Sequence, residues 1–413
     1  MNLKSSGQIL SLDVGTATVK AAVAQFDKDG GLTFLKIWRA PTRGLRRGMV
    51  EEPLETAQTL NQVFAETQRS FKNAVKNIYL NTGGAQAKIQ PSRSIVAVSR
   101  ADSEIYKDDI NRAVQASRAV NLAANRMVIH SITNEFIVDG MGAIRNPLGM
   151  TGSRLEVNGL IIDAFAPAIK NLTKAVETAG GQITGFIFGP LASSRAILNK
   201  NQKELGVVLV DIGFATTGLA VYEENKLLHA AVFPVGSGNV TNDLAIGLRT
   251  SVETAELIKR SCGSALASEV PSREVIDLSQ LDARAKGSVS RRYIAEIIEV
   301  RLAEILELVG GELKQLGKDR RLPAGVVLVG GGAKLPGAAE LARQELKLPV
   351  QLGTPDLTAV HTAAGVSGGE LEDPELACCL GLALLANDET EPLRFDWGGM
   401  NQWVRRVVNY FIP

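Results

Sequence analysis

Leu209-Val-Asp-Ile-Gly-Phe-Ala-Thr-Thr-Gly-Leu-Ala-Val221 is a run of strand formers, broken by Asp211, Gly213 and small residues and then resumed. Two apolar runs around a Gly-containing turn predict a tight β-hairpin whose turn leaves an acid beside several unblocked backbone amides. Such a turn can wrap a phosphate, and the acid can hold the hydrated divalent cation that travels with it. Asp-x-Gly after a strand is common, so one copy decides little. A second copy stands at Asp13-Val-Gly15-Thr-Ala17-Thr18-Val-Lys-Ala-Ala22-Val23 and aligns without a gap, 198 positions earlier (211 − 13). The recurrence predicts two related halves, each turning a phosphate-gripping hairpin toward a shared cleft. Two ordinary tight hairpins are the plain alternative.

Around these hairpins, 413 residues leave room for two or three compact units. The chain is 45% hydrophobic, 22% charged and 5% aromatic, with a net charge of +1. That fits a soluble α/β protein and gives bulk electrostatics no reason to attract nucleic acid. Cys262, Cys378 and Cys379 form no CxxC pair, and the histidines are His130, His229 and His361. Neither a disulfide framework nor a zinc site is expected, and a reducing cytoplasm fits. The N-terminus shows no signal-peptide pattern, and no apolar run approaches the roughly 20 residues that span a bilayer.

Read in order, residues 8–38 predict three strands, with Lys20 at the start of the second, where its ammonium can reach the same phosphates as Asp13. On its own Lys20 reads equally well as a solvated strand residue. A helix is expected over 53–74, a strand over 78–80, and an inserted α+β unit over 85–165. In that unit 94–99 reads as a strand, 108–121 as a helix, and 128–138 and 154–165 as long strands joined by the turn 139–152. Helices are expected over 168–179 and 190–198 and strands over 183–189 and 226–235. The loop Pro234-Val-Gly236-Ser-Gly238-Asn239 has glycines that let backbone pass close to a ribose and phosphates. Helix 251–261 carries Glu256 and Lys259 on one face. On the residues alone that is a surface ion pair. The helix 290–316 shows a core stripe through Ile294, Ile298, Leu302, Ile305 and Val309. Ala324 to Gly337 reads as a buried strand entering Gly330-Gly331-Gly332, with a helix start near Pro336 whose N-terminus can face a polar group.

After helix 376–386 the sequence changes to an acidic, Pro-containing linker at 387–399. Beyond it, Trp403, Val404, Val407, Val408 and Phe411 share one face of a short helical pattern, with Arg405 and Arg406 opposite. Such a helix can lie in the plane of a membrane surface or dock on the domain. A single copy holds reversibly, and many copies in a row hold firmly.

These motifs resemble the actin/Hsp70 nucleotide-binding superfamily, and within it the FtsA family of bacterial cell-division actin homologues. The first phosphate motif is matched by 12–20, the second by 210–221 and the adenosine motif by 329–337. Wording similar to FtsA proteins extends over 130–140, 146–150, 235–249 and the terminal helix. The resemblance implies an α/β, actin-like two-lobe fold of duplicated RNase H-like halves, with an inserted α+β subdomain (1C) in place of actin's 1B. It implies subdomains 1A (1–84 and 357–386), 1C (85–165), 2A (166–235 and 323–356) and 2B (236–322), followed by the linker and the membrane-targeting helix 400–413.

The resemblance also implies ATP with Mg²⁺. Asp13 and Asp211 would hold hydrated Mg²⁺, and Gly15, Thr16, Gly213, Ala215, Thr216, Thr217 and Lys20 would meet phosphates. Gly330, Gly331, Gly332 and Leu335 would line the adenosine, and Glu256 and Lys259 would meet ribose and base, which reverses the surface-pair reading. Implied partners are the FtsZ C-terminal tail on 2B, further copies of the chain through 1C, anionic lipid at the inner membrane surface and later division proteins. The place implied is the cytoplasmic face of the membrane at the division site. One departure stands out. Relatives usually carry Asp-x-Gly-Gly-Gly-Thr-x-Asp where this chain has Phe214, Ala215 and Gly218, so Phe214 is expected to point away from the ligand. The carboxylate missing at Gly218 implies weak or absent hydrolysis. A small-molecule kinase of the same superfamily and a pilus-assembly adaptor resembling PilM remain as alternatives. The kinase lacks a dedicated base in these motifs, and the PilM-like adaptor has no need of the terminal helix.

Overall fold

The computed structural model describes residues 7–26, 31–82, 84–282, 287–356, 360–363 and 366–388. The expected linker beyond 388, the terminal helix with Trp403 to Phe411, and Gly83 lie outside the described residues.

The first half opens with β1 (Gln8–Val14), β2 (Thr18–Phe26) and β3 (Leu32–Pro41), followed by a small hairpin of β4 (Leu45–Arg46) and β5 (Met49–Val50). Helix α1 (Pro53–Ser70) has proline in its first turn, where the missing N–H costs nothing, and buries Ala57, Leu60, Val63 and Phe64. It ends at Ser70, short of the expected 74, and a 3₁₀ turn leads to β6 (Ile78–Thr82).

The inserted unit contains β7 (Lys88–Ala97), α2 (Lys107–Arg118), β8 (Arg126–Val138), β9 (Met141–Ile144) and β10 (Arg154–Phe165). Its sheet runs β7-β10-β8-β9. Strand β7 begins six residues before the expected 94 and contains Pro91, which an edge strand tolerates because its outer N–H groups have no strand to pair with. Strand β9 was hidden inside the expected turn. Asp139 and Gly140 both adopt positive φ (47° and 89°), and this two-residue turn reverses the chain directly into β9. Val114, Phe136, Leu155 and Val157 fill a separate small core here.

Next come α3 (Ala166–Thr178), β11 (Ile183–Phe188), α4 (Gly189–Ile197) and α5 (Lys200–Leu205). The second half then repeats the opening with β12 (Val207–Ile212), β13 (Thr217–Glu223) and β14 (Lys226–Phe233). It continues with α6 (Ser237–Leu248), α7 (Val252–Cys262), the short strands β15 (Val275–Asp277) and β16 (Ser288–Ser290), and α8 (Arg291–Gln315). The chain closes with β17 (Val326–Val329), α9 (Ala338–Leu346), β18 (Val350–Leu352), β19 (Val360–Thr362), α10 (Gly368–Leu371) and α11 (Ala377–Asp388).

The two large sheets run β11-β6-β1-β2-β3-β19 and β14-β13-β12-β17-β18. In each, three antiparallel strands joined in sequence meet two parallel strands on the other side of the first. The same order built twice is the duplication that the repeated motif predicts, and it gives the actin-like architecture. Helices α4 and α11 pack against each other within one core that takes Phe188 and Leu191 from one side and Leu209 and Val327 from the other. They approach so closely at Gly381 that a Cβ there would lie 1.8 Å from the Ala192 carbonyl oxygen. The inserted sheet reaches the second half through Asn134 Nδ2, which donates to the Leu227 carbonyl (2.9 Å), and through Lys226–Glu135 (3.0 Å).

Candidate nucleotide cleft

Each repeated motif becomes the same turn. The Gly15 N–H donates to the Thr18 carbonyl at 3.2 Å, and the Gly213 N–H to the Thr216 carbonyl at 2.9 Å. A Cβ on either glycine would stand 2.8–2.9 Å from that oxygen, so any other residue forces the turn open. Asp13 is the cross-strand partner of Lys20 in β2, and Asp211 is the partner of Gly218 in β13. Lys20 and Gly218 thus hold equivalent places, 198 positions apart like the acids. Both turns open on one cleft of about 1140 Å³ between the two sheets, lined by Asp13, Gly15, Thr16 and Lys20 from one side and Asp211, Gly213, Ala215 and Thr216 from the other.

The acids are held differently. Asp13 accepts from Asn81 Nδ2 (2.7 Å) and lies 3.4 Å from Lys20 Nζ. Asp211 accepts from Ser193 Oγ of α4 at 2.8 Å. Burial pushes the Asp211 carboxyl up to about 6, with the Asp13 and Glu375 charges adding to it and the Ser193 hydrogen bond and Lys20 opposing. Burial alone would lower the Lys20 ammonium, but Asp13, Glu375 and Asp211 outweigh it and hold its pKa above the ordinary lysine range. Among the described residues no group of three or more His, Cys, Asp or Glu is placed to hold a metal. Two separated carboxylates beside phosphate-wrapping turns suit Mg²⁺, which keeps much of its water and takes the rest of its ligands from phosphates.

At the other end of the cleft, Glu256 and Lys259 are an ion pair at 2.6 Å, but not a surface one. Lys259 is buried, and burial lowers its pKa while Glu256 partly restores it. Its ammonium donates to the Ser237 carbonyl (3.1 Å) and Thr241 Oγ1 (2.8 Å) besides pairing with Glu256. An ammonium has three protons, so Lys259 is fully engaged within the protein, and Glu256, which also accepts from Thr241 Oγ1 at 2.5 Å, lines the cleft. Gly330, Gly331, Lys334, Leu335 and Pro336 also line the cleft, with Gly330 so close to Asp211 that a Cβ on it would stand 2.4 Å from the Asp211 carboxylate and Lys334 Nζ 4.0 Å from Glu375.

Four expected site residues stand behind the wall instead. Thr217 is buried and donates to the Val235 carbonyl at 2.8 Å. A Cβ on Gly236 would strike the Gly213 carbonyl oxygen, one on Gly238 the Phe214 ring, and one on Gly332 the Ile212 side chain, all within 2.7 Å. These glycines let α6 and the 330–335 turn pack onto the second hairpin, and none of the four lines the cleft. Phe214 is among the residues that border the cleft, and its ring packs beside Gly238 with Lys259 Nζ 5.6 Å from the ring centroid. Reading by motif also missed Asn81, Ser193 and Glu375, which come from β6, α4 and the turn before α11. No spacing in the sequence links them to Asp13 or Asp211.

Comparison with known proteins places this geometry. The family model for "Cell division protein FtsA" matches residues 208–381, and that for "SHS2 domain inserted in FTSA" matches 84–163, the span of the inserted sheet. Cell division protein FtsA of Pseudomonas aeruginosa is 35% identical over 354 residues, covering 86% of this chain and 84% of that one. Among solved structures, a PilM-PilN type IV pilus biogenesis complex superposes with a TM-score of 0.65 at 20% identity, covering 93% of this chain and 99% of that one. MreB5 of Spiroplasma citri bound to ADP does so with a TM-score of 0.55 at 13% identity, covering 94% and 98%. Those two likenesses carry the fold alone, whereas the sequence relative carries the lineage: a duplicated actin-like core with an SHS2 insertion, matched over most of its length, makes this chain a member of the FtsA family of cell-division proteins.

Proposed function

We propose that this cell-division protein binds ATP with Mg²⁺ in the cleft, uses it as a conformational ligand, polymerises on the cytoplasmic face of the membrane and tethers the FtsZ ring there. The observation that carries the nucleotide reading is the convergence of two identical acid-tipped turns on one cleft. Gly15, Thr16, Gly213, Ala215 and Thr216 meet phosphates, Lys20 contributes charge, and Asp13 and Asp211 hold the ion through water. The ion neutralises phosphate charge, and the chain's own residues orient the nucleotide. Glu256 accepts from the ribose, Lys259 fixes Glu256, and Gly330, Gly331 and Leu335 border the adenosine. The ADP held by the MreB5 neighbour is consistent with a nucleotide in this fold.

Hydrolysis is slow or absent in this reading. Position 218, opposite Asp211, carries no side chain, and a Cβ there would meet the Pro190 ring at 2.9 Å. A carboxylate to orient attacking water therefore has no room at that place.

Residues 236–322 take the FtsZ C-terminal tail. In support, Ile246 (76% exposed), Tyr293 (44%) and Val300 (63%) lie on α6 and α8 beside a shallow groove bordered by the ion pair Asp243–Arg301. Apolar side chains open to water beside fixed charges suit a short amphipathic peptide. Residues 85–165 join copies of the chain into filaments, later division proteins follow, and residues 400–413 lie on anionic lipid. Among the described residues no helix is long and apolar enough to cross a membrane.

Titration calorimetry with ATP tests the cleft. Asp211→Ala is expected to abolish binding, and unchanged affinity would remove the assignment. Removing residues 400–413 is expected to end co-sedimentation with anionic liposomes while ATP affinity stays the same. Pelleting by the truncated protein would refute the tether.

A further inference from the structure

The turn Asp373–Leu376 reaches the cleft through Glu375, beside Lys20 and Lys334. Its Pro374 carbonyl accepts from the Gly330 N–H at 3.0 Å, which ties it to the triple-glycine loop. Asp373 caps the turn by accepting from the Glu375 N–H (3.0 Å), and it is engaged by Lys334 at 2.9 Å and Arg39 at 3.0 Å. Glu375, two residues on, faces the cleft with a quarter of its side chain exposed. Its carboxylate oxygens lie 3.7 Å from Lys20 Nζ and 4.0 Å from Lys334 Nζ, while Lys20 is nearer Asp13 at 3.4 Å and Lys334 nearer Asp373. Both lysines thus have closer partners than Glu375, which shares each of them with another carboxylate.

The charge balance makes this arrangement unfavourable for a bare polyphosphate. The acidic and basic side chains lining the cleft sum to zero. At the phosphate end Asp13, Asp211, Asp373 and Glu375 stand against Lys20, Lys334 and Arg39, one negative charge in excess. A triphosphate carries nearly four negative charges, and at the effective dielectric of a partly buried site each additional carboxylate within several ångströms opposes its binding. A divalent ion reverses the sign of that interaction, because its water shell donates hydrogen bonds to surrounding carboxylates.

We propose that Glu375 is a positioning and specificity residue of this cleft: it accepts from the water shell of the divalent ion, and it makes nucleotide binding depend on the metal. The inference rests on the nucleotide reading above. It gives the chain a third outer carboxylate, supplied from beside α11, where the position opposite Asp211 is glycine. The alternative is that Glu375 only neutralises Lys20 and Lys334. The two differ in what removing its charge does: neutralisation predicts tighter ATP binding with and without metal, whereas the metal role predicts opposite changes in the two conditions.

The test is ATP affinity by titration calorimetry in excess Mg²⁺ and in excess EDTA, on the full chain, for wild type, Glu375→Gln and Glu375→Asp. Thermal melts check each fold. For E375Q the ratio of Mg²⁺ to EDTA affinity is expected to fall by about tenfold or more, with weaker binding in Mg²⁺ and stronger binding in EDTA. E375D is expected to keep most of the ratio. If E375Q does not fold, Glu375→Ser makes the same measurement. An unchanged ratio in a folded variant overturns the role of Glu375 and leaves the cleft reading standing. A wild-type protein that binds no ATP in either buffer overturns both.

Discussion

At the residue scale, Asp211 shows how one side chain can be costly to the fold and needed by the ligand. Its carboxyl is raised to about 6 by burial, so ionising it without a cation beside it is unfavourable. For a raised acid, the native state binds more protons than the unfolded state between the two pKa values, so the contribution to stability falls as pH rises through that window. The ligand-free Asp211→Asn protein is therefore expected to be as stable as wild type at pH 7 or more stable, by at most about 3 kcal/mol in chemical denaturation. The same shift makes ligand affinity acid-sensitive in the opposite direction. Below about pH 6 the carboxyl is neutral, and Mg²⁺-nucleotide affinity is expected to fall by up to about tenfold per pH unit, as calorimetry across pH 5–8 would register. Glu256 and Lys259 teach a related lesson. Their spacing reads as a surface pair, yet Lys259 is buried because α7 packs beside α6, which supplies the Ser237 carbonyl and Thr241 hydroxyl.

At the element scale, the paired turns and the crossing helices are the parts that tolerate least change. Gly213→Ala sets a methyl 2.9 Å from the Thr216 oxygen, and ATP affinity is expected to drop by on the order of tenfold while the far-ultraviolet spectrum is retained. Gly381→Ala is a harsher change, since Ala192 backbone at 1.8 Å cannot yield without separating α4 from α11. A loss of about 3 kcal/mol or more is expected in chemical denaturation. The groove on α6 and α8 belongs to this scale too. Val300→Glu places a charge on its exposed rim and is expected to abolish binding of an FtsZ tail peptide in fluorescence anisotropy without changing ATP affinity.

At the scale of the whole molecule, α4 and α11 join the sheets through a common core, and the inserted sheet touches the second half through Asn134 and Lys226. A ligand drawing the two turns together therefore has a mechanical route to the inserted unit and to α6–α8. On a lipid monolayer with ATP, electron microscopy of the full chain is expected to show protofilaments, and deletion of 85–165 is expected to remove them. Filaments formed without the inserted unit would move self-association elsewhere.

The chain's own order of residues determined the duplication, because an acid, a glycine and small residues at matched spacing dictate the same backbone turn wherever they occur. It also determined the long helices, whose apolar stripes repeat every three to four residues, and hence the actin-like class. Tertiary structure decided which glycines face the cleft and which only let α6 and the 330–335 turn pack close, since a missing Cβ looks alike in both settings. It decided that the Phe214 ring packs beside Gly238 and Lys259, that Pro91 sits in an edge strand and that Asp139-Gly140 hides a hairpin. It brought Asn81, Ser193 and Glu375 to the two acids as well. Contacts between residues far apart in the chain leave no periodicity to read, and they arise only when sheets and crossing helices close around a common core.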